Sequence, residues 1–257
     1  TLSLHDALPI STSFKGPPNG SMSPSSVGRP DGPEQNTVQE SLFGNDEQIG
    51  DGIGDLEGWC RRQSIRWIVG VDEAGRGPLA GPVHAAAVAL DLENLSEEWV
   101  DRLDDSKKLE ESERIETFDV IRQQAPACAI SFSSPETIDE INILQATRRA
   151  MKRCVEEVCQ SLGEPPACVF VDGNVRIDVA QNQRTLVKGD GRSWAIAAAS
   201  SLAKVSRDEQ MGEYHDRWPA YNFASNKGYP TAEHREALRE HGPTPIHRRS
   251  FAGVVTD

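Results

Sequence analysis

The chain has 257 residues, long enough for one substantial core carrying a tail. Apolar residues make up 37% and aromatic residues 6%, so little that part of the chain is expected to stay unstructured. No apolar run reaches membrane-spanning length, the net charge of -13 argues against a generally basic nucleic-acid coat, and five cysteines without a C-x-x-C pair argue against a zinc or disulfide framework. A reducing cytoplasm is the expected compartment, a monomer the default state, and no membrane partner is expected.

From Ser11 to Asp55 the composition is Ser, Pro, Gly, Asn and Asp with few branched apolar residues, which reads as a disordered low-complexity tail over residues 1–55. Thr1 to Ile10 lack the basic and then apolar pattern of a signal peptide, and Met22 is a candidate start. The folded domain is expected over residues 56–257. There, Arg66 to Val71 and Val83 to Leu90 read as buried strands, with Ala127 to Phe132, Val169 to Val171 and Thr185 to Val187 as three more. Leu144, Met151, Val155, Val158 and Leu162 recur at helical spacing before a glycine stop at Gly163. Trp194 to Met211 is an Ala-rich helix suited to close approach to a sheet. Strands first, then strands alternating with helices, indicate a mixed α/β sheet covered by helices. Residues 180–257 hold 11 basic and 9 acidic groups, a slight positive excess that suits either a phosphate-facing surface or ordinary solvated helices.

Two of these strands run into acid, at Asp72-Glu73 and at Asp172, where ligand sites of open α/β sheets gather. On the Ala-rich helix Asp208 shares the stripe of Trp194, Ala198, Ser201 and Val205, an anomalous place for an acid. Together Asp72, Glu73, Asp172 and Asp208 would hold more negative charge than can stay ionised unaided, and two hard divalent cations, Mg²⁺ or Mn²⁺, would neutralise it. Such ions suit phosphodiester hydrolysis. Taken singly, each acid also reads as a helix cap or an arginine partner. Gly75-Arg76-Gly77 could offer N–H groups and a guanidinium to a phosphate or sugar hydroxyl, although it matches neither a Walker A loop nor a dinucleotide fingerprint. His234 and His247 match no metal spacing and read as structural. Arg248 and Arg249 read either as phosphate contacts or as helix-end charges.

The run Gly70-Val71-Asp72-Glu73-Ala74-Gly75-Arg76-Gly77-Pro78-Leu79-Ala80-Gly81-Pro82-Val83 resembles the opening signature of the ribonuclease HII family, the bacterial type 2 ribonucleases H. Asp105 to Leu109, Asn142 to Thr147, Val171 to Asn174, Ala197 to Asp208, Lys227 to Thr231 and His247 to Phe251 resemble later blocks in family order, spanning residues 56–252. The resemblance implies a ribonuclease H-like fold with a mixed five-stranded central sheet flanked by helices. It implies an endoribonuclease that hydrolyses RNA in RNA–DNA hybrids and incises 5′ of ribonucleotides embedded in duplex DNA, leaving 3′-hydroxyl and 5′-phosphate ends by a two-metal-ion mechanism. By position, Asp72, Glu73, Asp172 and Asp208 would be the catalytic metal ligands, while Gly75, Arg76 and Gly77 would read the ribose 2′-hydroxyl. Tyr229 would stack on the next sugar, and Lys107 would contact backbone phosphate. Another ribonuclease H-like DNA nuclease and a non-catalytic nucleic-acid binding module are the competing readings. In the tail, Gln39-Glu40-Ser41-Leu42-Phe43 resembles the Q-x-x-L-F peptide that binds the sliding clamp, with Gln39, Leu42 and Phe43 as contacts, or is a chance match in a polar segment.

Overall fold

A computed structural model describes residues 49–96, 98, 99, 103 and 111–254. Five strands, β1 (Trp67–Ala74), β2 (Val83–Asp91), β3 (Cys128–Ser133), β4 (Cys168–Asp172) and β5 (Gln183–Leu186), form one sheet in the order β3-β2-β1-β4-β5. The β1–β2 and β2–β3 pairs are antiparallel, and β1–β4 and β4–β5 are parallel. This is the mixed five-stranded sheet that the strand pattern and the resemblance imply, and all five expected strands are present. Around it lie α1 (Asp55–Arg62), α2 (Glu111–Gln124), α3 (Pro135–Leu162), α4 (Trp194–Arg217), α5 (Phe223–Asn226) and α6 (Ala232–His241). None of the helices among the described residues is long and apolar enough to cross a membrane.

The two-residue period of the strands divides the core. Ile68, Ala86, Val88, Leu90 and Phe170 face α4, while Val69, Val71, Ala85, Ala87, Ala89, Val169 and Val171 face α3. With helices on both faces, β2 is buried along Val83 to Leu90, which explains why its sequence is a continuous apolar run. α4 lies directly against β1 because Gly70 carries no side chain there; a Cβ at that position would stand 2.1 Å from the Ala195 carbonyl carbon. α3 starts on a Ser134 cap and Pro135, earlier than the stripe from Leu144 indicates, and stops at Gly163 in a left-handed conformation, the stop its sequence predicts. It is interrupted at Asn142, whose φ of 65° no helix contains.

The N-terminal boundary differs from the composition break at 55/56. Ile49 is buried in the core, Asp51 pairs with Arg192 at 2.8 Å, and the Gly54 N–H donates to the Arg192 carbonyl. These contacts lead into α1, where Glu57 is fully buried at the start of α4. Its Oε1 accepts from Ser193 Oγ at 2.6 Å and from the Ala195 N–H at 3.3 Å, while Oε2 has no partner. Burial pushes the Glu57 carboxyl up to about 7. The stabilisation carried by this carboxylic acid is therefore complete below about 4.5, its unfolded value, and is lost as pH rises to about 7. Glu57→Gln, which keeps the shape of the neutral acid, is expected to abolish that loss. In denaturation curves from pH 5 to 8, wild type should weaken relative to the variant by a few kcal/mol, of order 3 for a change of this size. A stability difference independent of pH would show that Glu57 stays ionised in the fold.

Candidate active site

The carboxylates converge because of strand register. Val71 of β1 pairs with Val171 of the parallel strand β4, so the next residues, Asp72 and Asp172, stand side by side on the face that α4 covers. Asp72 is buried; its Oδ1 accepts the Glu73 N–H at 2.7 Å, and Ser200 of α4 bonds its side chain. Desolvation first, then the charges of Asp172 and Glu73, hold the Asp72 carboxyl well above the usual carboxylate range. Glu73 is raised by burial against the opposing pull of Arg76, which donates to Glu73 Oε1 at 3.2 Å. Asp172 is raised by burial although the Gly189 N–H donates to its Oδ1 at 2.6 Å.

Asp208, on α4, has its partner within the same helix. It is bonded by Lys204, one turn earlier on α4, with Nζ at 2.8 Å from Oδ1 and 2.7 Å from Oδ2. Beside it the buried His84 imidazole contacts Ser206 Oγ at 3.1 Å and Gln210 Oε1 at 2.7 Å, and burial brings it down to about 4. Among the described residues no three or more His, Cys, Asp or Glu side chains stand close enough together to hold a metal ion, so the four acids expected to do so are not gathered into one ligand set; register pairs Asp72 with Asp172. An all-oxygen set of desolvated, like-charged carboxylates nevertheless suits a hard divalent cation, which keeps waters and shares its shell with substrate oxygens.

In front of the acids a cleft of about 350 Å³ is lined by Glu73, Ala74, Gly75, Arg76, Gly77, Ser200, Lys204, Arg207 and Tyr229. The glycine loop, Tyr229 and one acid of the expected set therefore share one cavity. Tyr229 is 45% exposed, and its ring edge lies close enough to Gly77 that a Cβ there would stand 3.4 Å from Cε1. Lys107, Gln39, Leu42 and Phe43 lie outside the described residues.

Sequence reasoning missed what holds the loop. Arg207 and Arg248 are 1% and 0% exposed and donate to backbone carbonyls instead of carboxylates. Arg248 Nε reaches the Gly81 carbonyl at 2.9 Å, Nη1 that of Arg76 at 2.9 Å, and Nη2 those of Gly75 at 2.6 Å and Pro82 at 3.2 Å. Arg207 Nε donates to the Pro82 carbonyl at 3.1 Å, and its Nη2 to those of Ala80 and Lys227 at 3.3 and 3.0 Å. Arg248 is thus neither a phosphate contact nor a helix-end charge; burial and Arg207 pull it down to about 9. Arg249 adjoins it, its N–H bonded to Asp139 Oδ2 at 2.8 Å. Ser200 and Lys204, quoted only as part of a motif block, also prove to line the cleft.

The family model for Ribonuclease HII matches residues 69–254. A Ribonuclease HII of Geotalea uraniireducens is 48% identical over 200 residues, covering 78% of this chain and 89% of that protein. Among solved structures, ribonuclease H2 from Pyrococcus horikoshii OT3 superposes with a TM-score of 0.62 at 24% identity, covering 73% of this chain and 95% of that one. RNase HII from Archaeoglobus fulgidus, solved as a complex with PCNA, superposes with a TM-score of 0.57 at 26% identity, covering 72% and 95%.

Gly75 has a φ of 96°, and a Cβ there would stand 1.9 Å from Arg207 Nε; Gly173 has a φ of 88° with open space around it. Alanine at 173 should therefore cost the backbone strain alone, about 1 kcal/mol. Alanine at 75 should cost clearly more, about 2–4 kcal/mol, because a buried guanidinium must also shift. Equal losses in urea denaturation would mean that Arg207 yields freely.

Proposed function

Because the chain belongs to the ribonuclease HII family, and is with it a ribonuclease H enzyme, we propose that it incises 5′ of ribonucleotides embedded in duplex DNA and hydrolyses the RNA strand of RNA–DNA hybrids, leaving 3′-hydroxyl and 5′-phosphate ends. The observation that carries this reading is the placement of a glycine loop, an exposed tyrosine and Glu73 in one cleft, with Asp72 beside Asp172 behind them. A reader of a sugar hydroxyl next to a phosphodiester-cleaving acid cluster is what cleavage at a ribose requires, because the 2′-hydroxyl distinguishes RNA from DNA.

In this reading Asp72, Glu73, Asp172 and Asp208 hold two divalent cations, Mg²⁺ or Mn²⁺. Bound there, the cations supply Lewis acidity for attack of water on the scissile phosphodiester. Burial of Asp72 fixes its direction, Ser200 and the Glu73 N–H orient its oxygens, and the Gly189 N–H does the same for Asp172. The loop Gly75-Arg76-Gly77, tied through the Gly75 and Arg76 carbonyls to Arg248, offers its opposite edge to the sugar, and Tyr229 packs on the neighbouring one. Lys204 and Arg76, each already beside an acid of the site, meet phosphate charge with positive charge.

Three duplexes test the substrate: one with a single embedded ribonucleotide, one all DNA, and a long hybrid, each with Mg²⁺ and with chelator. Metal-dependent incision 5′ of the ribonucleotide, absent from all-DNA duplex, is expected; robust cleavage in excess chelator or of all-DNA duplex would overturn the reading. Asp72→Asn is expected to lower turnover by about a thousandfold or more while hybrid affinity changes only a few-fold, because phosphate contacts supply most of the binding. Equal losses of binding and turnover would place Asp72 outside the chemistry.

A second interaction is favoured by Gln39-Glu40-Ser41-Leu42-Phe43, together with the Archaeoglobus fulgidus relative having been solved in complex with PCNA. In this reading the segment docks Leu42 and Phe43 in a pocket of a sliding clamp. Immobilised clamp should retain the full chain and release Leu42→Ala/Phe43→Ala; equal retention of both would end the idea.

A further inference from the structure

The two histidines that the reaction does not use form a hydrogen-bond chain whose proton positions are dictated by its ends. The Thr244 N–H donates to His247 Nδ1 at 2.9 Å, with Thr244 Oγ1 also at 2.9 Å, so that nitrogen bears a lone pair. At the other end His234 Nδ1 lies 2.9 Å from the Tyr229 carbonyl, which only accepts, so that nitrogen bears the proton. Between them His247 Nε2 and His234 Nε2 are 3.0 Å apart. With both rings neutral, the only consistent assignment is His247 Nε2–H donating to His234 Nε2. Both rings are buried, packed among Tyr221 and Phe223. Desolvation lowers both imidazoles, His247 to about 4, which keeps them neutral at pH 7.

The chain ends on the backbone of the residue that stands in the cleft. The neighbouring carbonyls are held as well: Lys227 by Arg207 at 3.0 Å and Gly228 by the Leu79 N–H at 2.8 Å. Gly228 adopts a φ of 83° against the Ala80 carbonyl, so the segment has little room to shift. His234 in turn sits in the first turn of α6, whose cap Thr231 accepts its N–H at 3.2 Å.

We propose that His247 and His234 are positioning residues for Tyr229: the oriented imidazole pair, acting beside the Thr231 N–H that reaches the same oxygen at 2.8 Å, fixes the Tyr229 carbonyl, and through it the place of the ring against Gly77, so that substrate affinity depends on two side chains that never touch substrate. The proposal rests on the reading that Tyr229 contacts the substrate sugar. Its signature is a rise in KM with kcat preserved, since ground-state and transition-state binding weaken together.

The test uses the full chain with Mg²⁺ and duplex DNA bearing one ribonucleotide. Long-range ¹H–¹⁵N spectra of the wild-type protein at pH 7 should show His234 as the Nδ1–H tautomer and His247 as the Nε2–H tautomer. Tyr229→Ala should raise KM about tenfold, the equivalent of one good packing contact. His234→Leu should raise it similarly and add nothing in the Tyr229→Ala background, whereas His234→Asn, whose amide can donate where Nδ1–H did, should restore most of the loss. Tyr229→Ala without effect on KM would overturn the substrate contact and the role with it. The proposal alone is overturned if Tyr229→Ala raises KM while His234→Leu leaves it unchanged. It is equally overturned by reversed tautomers, which are read without any variant and so remain decisive should His234→Leu fail to fold.

Discussion

Two guanidinium groups taken out of water carry the architecture of the cleft. Burying an isolated charge is so costly that it persists only where hydrogen bonds replace hydration. For Arg207 and Arg248 the replacement is a set of backbone carbonyls, those of Gly75, Arg76, Ala80, Gly81, Pro82 and Lys227. Carbonyls are fixed in direction by the chain, so the loop between β1 and β2 must take one path for the charges to be satisfied. Truncating either arginine leaves several buried acceptors without donors, which costs more than the bonds themselves contribute. A loop rich in glycine would otherwise have many conformations, and here it has one.

The same arginines connect segments that are distant in sequence. Arg207 belongs to α4, which also carries Ser200 and Lys204 into the cleft and Asp208 beside it, and Arg248 lies near the end of the described chain. α4 is registered on β1 by the missing side chain of Gly70 and is held at its start by Glu57 and Ser193. One helix therefore sets the distance between the strand-borne acids and the glycine loop that follows β1. Its alanines let it come close to the sheet, and its polar residues begin where the sheet ends.

Much of this was legible from residue order, and what was not has a physical reason. The strands carrying Asp72 and Asp172 could be read because an apolar run bounded by acid has few other interpretations, although β1 continues past Asp72 to Ala74, and register did the rest. The Gly163 stop and the Ala-rich helix are local signals and appear where expected. Arg207 and Arg248 were not legible because arginine is normally solvated, and nothing in a linear pattern reveals carbonyls brought from as far as 125 positions (Pro82 to Arg207) and 173 positions (Gly75 to Arg248) away. α1 escaped because eight residues beside a polar segment give too short a period, and Glu57 looks like any surface acid until Ser193 is placed against it. The break at Asn142 carries a local signal instead: its Oδ1 accepts the Gln145 N–H at 3.1 Å, in the manner of a helix cap, and the apolar stripe read from the sequence begins just after it at Leu144.

The electrostatics of the site divide between what is fixed and what can exchange. Asp72 and Asp172 are bound to elements that do not move with solvent, a serine and backbone N–H groups, and burial raises both. Glu73 and Asp208 are instead paired with cations on half-exposed side chains, Arg76 and Lys204, with side-chain exposures of 49% and 42%. In each pair the cationic end reaches water while the acid is mostly buried, so the cation can be exchanged more readily than the acid can move. Arg76 and Lys204 can therefore turn to the phosphates of a polyanion, and Glu73 and Asp208 to a more highly charged cation. Asp72 and Asp172 are thus fixed in direction by groups of the fold, whereas Glu73 and Asp208 keep partners whose cationic ends reach water.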